Sequence, residues 1–207
     1  LKEVHHCFFS RLGGASKDNY YSLNCGLGSA DTKKDININR GIVSKYFDLN
    51  PSQLLTLHQT HSNKIKTIDS FNQEETYLYD GVVTKQKNLI LGILTADCAP
   101  ILFYDRKNKI AGACHAGWRG AFSGIIENTI NAMKKLGSNN SDIKCCIGPC
   151  IGEESYQVRN DFYNTITLNN IQNKVFFDKI TANKFNFRLR DFITHKLNVR
   201  GIGDISS

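Results

Sequence analysis

The 207 residues, 41% hydrophobic and 22% charged, are enough to bury a core without cross-links, and no apolar run approaches the roughly 20 residues that cross a bilayer. The net charge of +7 comes with scattered lysines and no dense basic stripe, which argues against a nucleic-acid face. Seven cysteines, with Cys145 beside Cys146, lay out neither a disulfide framework nor a four-cysteine zinc site, so mostly buried thiols are expected.

The first residues, LKEVHHCFFSRLGG, show no charged leader followed by an apolar segment, and the expectation is a cytoplasmic protein with no membrane partner. VHHCFFSRLGG reads as a strand, apolar at Val4, Cys7, Phe8 and Phe9 and stopped by Gly13 and Gly14. Residues 16–31, polar and glycine-rich, read as a long irregular loop that Tyr20 and Tyr21 keep packed. Ile38, Ile42, Val43, Tyr46 and Phe47 then fall at steps of three and four, predicting a helix from Asp35 that Pro51 closes, with Arg40 as a solvated residue one turn from the stripe. Residues 54–58 and 64–68 read as strands flanking Gln59-Thr60-His61-Ser62, which places His61 in a connection.

After the polar segment SFNQEETYLY, Asp80-Gly81 marks a turn into a strand over residues 82–84. Residues 89–94 form a continuous apolar run of the kind buried on both faces, and it delivers Asp97 and Cys98. Residues 101–104 and 110–114 make a strand pair around an RKNK turn, and the second strand delivers His115. Phe122, Ile125, Ile126, Ile130, Met133 and Leu136 trace one helix, with Gly137 at its C-cap and amides near Gly117 to Gly120 open to a phosphate. A strand over 143–147, a GPCIG turn, a short helix over 161–166, an extended piece over 175–177 and a last helix over 185–197 follow. The final GIGDISS carries no signal, and no repeat or linker divides the single domain at residues 1–207.

His61, Cys98 and His115 each stand where an apolar run breaks into small or polar residues. Two imidazoles and a thiolate are ligands zinc prefers, and three protein ligands leave a fourth position open, which is a catalytic arrangement. Such an ion lowers the pKa of water toward about 7 and polarises a bound oxygen or nitrogen. Asp97 is the carboxylate nearest in sequence to orient a histidine ligand or shuttle a proton. The same residues support a metal-free alternative in which His115 activates Cys98 as a nucleophile, and spacing does not separate the two. Nor does spacing separate either from a structural role, since Cys114 and His58 lie beside the favoured residues. There is no HxE with PCxxC, no GxSxG, no P-loop and no HExxH, and GLG at 26–28 is no dinucleotide fingerprint.

SRLGGAS with YYSLN, Asn39-Arg40, HQTHS, DGVVT, TADCAPILFYD, HAGWRG and IGPCIG with SYQV, in this order, resemble the purine nucleoside phosphorylase family. That family was formerly labelled laccase-domain or multicopper polyphenol oxidoreductase, and some members are described as peptidoglycan editing factors. The resemblance implies an α/β (α+β) single domain of sheets flanked by helices, layered α/β/β/α like the cytotoxic-necrotizing-factor type of cysteine hydrolase. It implies a catalytic zinc on His61, Cys98 and His115, with purine nucleosides and phosphate as partners. The implied reactions are phosphorolysis of adenosine, inosine and methylthioadenosine to a pentose 1-phosphate and free base, and deamination of adenosine. Arg40 and Arg119 are the candidate residues for holding substrate phosphate. Copper is less expected, because six histidines cannot furnish several imidazole-rich centres. Family members usually continue past the position of Ser207 with a cysteine-containing strand and an FSYRR-like segment, so the chain is expected to lack the family's C-terminal portion. The alternatives are a Cys98/His115 hydrolase of a cell-wall precursor and a non-catalytic zinc-binding module.

Overall fold

A computed structural model describes residues 4–72, 76–168 and 170–206. The chain runs through α1 (Lys33–Tyr46), β1 (Leu54–Thr56), β2 (Ile65–Ile68), β3 (Gly81–Thr84), β4 (Ile90–Gly92), β5 (Ala99–Asp105) and β6 (Ile110–Ala116). It continues through α2 (Trp118–Ser123), α3 (Ile125–Lys135), β7 (Ile143–Ile147), β8 (Gln157–Arg159), α4 (Asn160–Thr167), β9 (Phe177–Thr181), β10 (Lys184–Phe187), α5 (Leu189–Val199) and β11 (Asp204–Ser206). Six strands form a mixed sheet in the order β11-β7-β5-β6-β3-β2, parallel at β11–β7 and β3–β2 and antiparallel elsewhere. Two smaller sheets accompany it, β1 parallel to β4, and β8-β10-β9 antiparallel.

Successive side chains on a strand point to opposite faces, and that alternation splits the core in two. Val83, Ile101, Phe103 and Cys114 pack with Ile126, Ile130 and Met133 of α3 and with Phe192 and Leu197 of α5. Val82, Leu102 and Ala113 point the other way, onto Leu55 of β1 and Leu91 of β4. This is a single-domain α+β fold of mixed sheets and helices, with α1 tied to β1 outside the second core.

Sequence periodicity misreads the face that α1 buries. Its inward residues are Ile36, Asn39, Arg40, Val43 and Ser44, whereas Ile38, Ile42 and Tyr46 are exposed. The inward polar groups hold irregular backbone. Asn39 accepts from the Ala15 amide at 2.7 Å and donates to the Ser16 hydroxyl and the Asn24 carbonyl, both at 2.8 Å. Those bonds order the loop that the two tyrosines suggested was packed. Arg40 is not the solvated residue expected, being only 6% exposed and donating to the Leu54 carbonyl at 2.8 Å and the Thr56 hydroxyl at 3.1 Å. Arg40→Ala leaves these acceptors without their donor, and thermal unfolding should show a loss of about 2 kcal/mol, roughly 4–8 °C for a chain of this size.

Other expectations change for local reasons. Residues 4–10 have no regular secondary structure, and Phe9 is apolar because its ring lies 5.4 Å from Tyr46 and 6.1 Å from Phe47. The run at 89–94 yields only the short, half-buried β4 in a two-stranded sheet, not a strand buried on both faces. The helix expected over 122–136 is divided, because Gly124 at φ +102° turns the chain between α2 and α3; Gly137, at φ +111°, lies just past the end of α3 as expected. Residues 171–176 form a 3-10 turn before β9, and the last helix starts at Leu189, since Phe185 and Phe187 alternate within β10 in an aromatic cluster. Within GIGDISS, residues 204–206 pair with β7 as an edge strand. Of the polar segment before Asp80, residues 73–75 lie outside the described residues.

All seven cysteines are free, and only Cys114 and Cys145 are buried, so the expectation of mostly buried thiols fails. Burial pushes the Cys114 thiol up to about 12, which makes it an inert core residue. Among the described residues no helix is long and apolar enough to cross a membrane.

Candidate metal centre

The site is assembled at one end of the β5–β6 pair. Register sets Pro100 opposite His115 and Cys114 opposite Gly81, so His115 faces the β1–β4 side and Asp80 sits beside it at the start of β3. The His115 amide donates to the Asp80 carbonyl at 2.7 Å, and its Nδ1 donates to Asp80 Oδ1 at 2.9 Å. With Nδ1 engaged, Nε2 is the nitrogen left to face the cluster.

Asp80 also builds the loop that carries His61. Its carboxylate accepts from the amides of Thr60 at 3.1 Å, His61 at 2.9 Å and Ser62 at 2.7 Å, and from the Ser62 hydroxyl at 2.7 Å. These bonds hold His61 in the left-handed region at φ +60°, which a residue with a Cβ rarely adopts. Cys98 arrives from the other side, immediately before β5. Gln59 ties the two approaches, its side-chain amide donating to the Leu94 carbonyl at 2.7 Å and its oxygen accepting from the Leu94 amide at 2.9 Å. Gly117 closes the floor, for a Cβ there would lie 2.7 Å from Cys98 Sγ.

The three nominated residues therefore meet. Their ligand atoms lie within 4.8 Å of one another, with His61 Nε2 3.9 Å from Cys98 Sγ and the two imidazole centroids 4.7 Å apart. Donors around a tetrahedral zinc stand about 3.5 Å apart, so small side-chain shifts would close this set on one ion. Burial is graded, with His115 at 4% exposure, Cys98 half-buried and His61 exposed. All three line a cleft of about 2000 Å³ that Tyr20, Asn24, Gln59 and Thr95 also line.

Charge is organised about Asp80. Burial alone raises its carboxyl, but the donors from His115, Ser62 and Thr60 outweigh that and hold it well below the usual carboxylate range. Burial alone lowers His115, yet the bond to Asp80 and the adjacent Cys98 lift it to about 9. The pair thus forms an imidazolium–carboxylate contact at neutral pH in the ion-free protein.

Asp97 does not orient a histidine, although it lines the same cleft as the trio. Its side chain is exposed, its carbonyl accepts from the Ile151 amide at 2.9 Å, and the carboxylate that orients a histidine is Asp80. Neither arginine lines the cleft with the trio. Arg40 is engaged with β1, and Arg119 is exposed with its guanidinium 5.2 Å from the Trp118 ring. The amides proposed for phosphate open the six-residue α2, a helix separate from α3.

The description "multi-copper polyphenol oxidoreductase laccase" belongs to a family model that matches residues 5–207. A purine nucleoside phosphorylase of Rickettsia prowazekii is 33% identical over 207 residues, covering 100% of this chain and 82% of its own. One of Haemophilus influenzae is 32% identical over 206 residues, covering 99% and 82%. Among solved structures, the hypothetical protein YfiH of Bacillus licheniformis aligns with a TM-score of 0.87 at 28% identity, covering 95% of this chain and 78% of that one.

Proposed function

The chain belongs to the multi-copper polyphenol oxidoreductase laccase family, and from that premise we propose that it is a metal-dependent purine nucleoside phosphorylase. The observation that carries the reading is the convergence of His61, Cys98 and His115 on the wall of one cleft, together with relatives that bear the phosphorylase name. The substrates are adenosine, inosine and methylthioadenosine, cleaved with phosphate to a pentose 1-phosphate and free base, and adenosine is also deaminated. The ion is zinc, because two imidazoles and one thiolate suit it, and this is the one such group of donors among the described residues, where multiple copper centres would need several.

Bound zinc supplies Lewis acidity and a nucleophilic water near neutral pH. The protein's part is positional. Asp80 fixes the His115 ring with Nε2 toward the cluster, Gln59 keeps the His61 and Cys98 loops together, and the cleft admits a nucleoside. Arg119, exposed two residues beyond Gly117, is the cation assigned to phosphate; Arg40 is the second candidate, with its protein acceptors as competitors. Arg119→Ala should raise the KM for phosphate, and an unchanged phosphate dependence would remove it from the site.

A second reading has its own observation. The Asp80–His115 bond, with Cys98 beside the ring, has the layout of an oriented imidazolium next to a thiol nucleophile, as a hydrolase of a cell-wall precursor would need. Metal analysis combined with adenosine assays, run with and without phosphate, separates the two. One zinc per chain and ribose 1-phosphate formed only with phosphate support the phosphorylase. Metal-independent amide hydrolysis that disappears in Cys98→Ser supports the hydrolase instead.

A further inference from the structure

We propose that the three ligands are unequal, with Cys98 and His115 a permanent anchor for the ion and His61 an exchangeable ligand that gives up its position to an incoming group. The proposal rests on the metal-dependent reading above and adds to it where the site opens. His115 is 4% exposed and its Nδ1 is held by Asp80 at 2.9 Å, so its ring cannot turn without leaving a buried carboxylate short of a donor. Cys98 is half-buried and immediately precedes the buried first residues of β5, and its sulfur sits against Gly117, where a Cβ would come within 2.7 Å of it.

His61 differs in its exposure and in what holds its ring. It is exposed, it lies on the cleft wall, and its ring has no hydrogen-bond partner among the described residues apart from the 3.9 Å contact of Nε2 with Cys98 Sγ. Asp80 does hold residue 61, but through the backbone amide at 2.9 Å, and not through the ring. Rotation about the side-chain bonds of His61 therefore breaks none of the bonds that shape the loop, and moves the ring between the cluster and solvent. Outer partners that fix a histidine ligand typically contribute 10–100-fold in metal affinity, roughly the advantage His115 has and His61 lacks.

Cobalt(II) serves as the probe, because a thiolate ligand gives it a charge-transfer band independent of turnover. Titrated into the metal-free full chain, His61→Ala should still bind one cobalt with the thiolate band present, weakened about 10–100-fold. His115→Ala and Cys98→Ala should show no saturable binding. Retention in His61→Ala alone supports the hierarchy, and equal loss in His61→Ala and His115→Ala overturns it.

Imidazole nitrogen NMR of the wild-type chain covers the case in which His115→Ala does not fold. In the zinc-loaded protein, inorganic phosphate should move the His61 ring signals toward their metal-free positions and leave those of His115 in place. Movement of His115 instead overturns the proposal. A wild-type chain that binds neither cobalt nor zinc overturns both this proposal and the metal-dependent function. Absence of phosphorolysis with the hierarchy intact counts against the function alone.

Discussion

Asp80→Ala is expected to lower the melting temperature by roughly 10 °C or more and to abolish saturable metal binding. Asp80 is fully buried and accepts from the His115 ring, three consecutive amides and the Ser62 hydroxyl. Removing the carboxylate strands a buried imidazolium and the loop amides together, and breaking a buried ion pair from one side costs about 3–5 kcal/mol. Metal binding fails for two reasons that share this cause. The His115 ring loses the bond that points Nε2 at the cluster, and the loop loses the bonds that keep His61 at φ +60°. Thermal unfolding and a cobalt titration of the same preparation check both halves. An unchanged melting temperature would refute the central place given to Asp80. Should the alanine variant fail to express, Asp80→Asn tests the same point, because its amide nitrogen meets donors that need an acceptor.

The three residues of the cluster were legible in the sequence and the residue that arranges them was not, and the difference is physical. Cys98 stands immediately before β5 and His115 lies near the end of β6, and these antiparallel strands are joined by the short RKNK turn, so two reactive residues could be placed at one end. His61 follows the same logic after β1. The partners of Asp80, by contrast, lie 18–20 residues before it and 35 after, and β2 and β3 associate in parallel through a connection that no local pattern encodes. Next to Gly81 it read as a turn residue. Arg40 shows the converse failure. Helical spacing located α1 correctly, but the buried face carries Asn39 and Arg40 because irregular backbone on both sides requires donors, a demand invisible to hydrophobic periodicity. Phe185 and Phe187 fall inside the helix expected over 185–197 because most of that span, from Leu189 on, does form α5.

Gly117→Ala is expected to weaken metal binding by on the order of 100-fold while lowering the melting temperature by only a few degrees. The backbone at Gly117, φ −71° and ψ 166°, is one any residue adopts, so the substitution carries no conformational penalty. What it meets is the site, with the new Cβ 2.7 Å from Cys98 Sγ and 3.2 Å from His61 Cδ2. The sulfur must retreat from the cluster it shares with the two histidines. Gly124→Ala is the matching control. Its Cβ has room, the nearest atom being Glu127 Oε2 at 3.7 Å, but φ is +102°, so it should destabilise the α2–α3 junction by about 1 kcal/mol without changing metal affinity. If the two variants instead lose metal equally at equal loss of stability, Gly117 acts through the fold. Affinity lost in Gly117→Ala alone, at a similarly small loss of melting temperature in both variants, would tie the sulfur's position to Gly117.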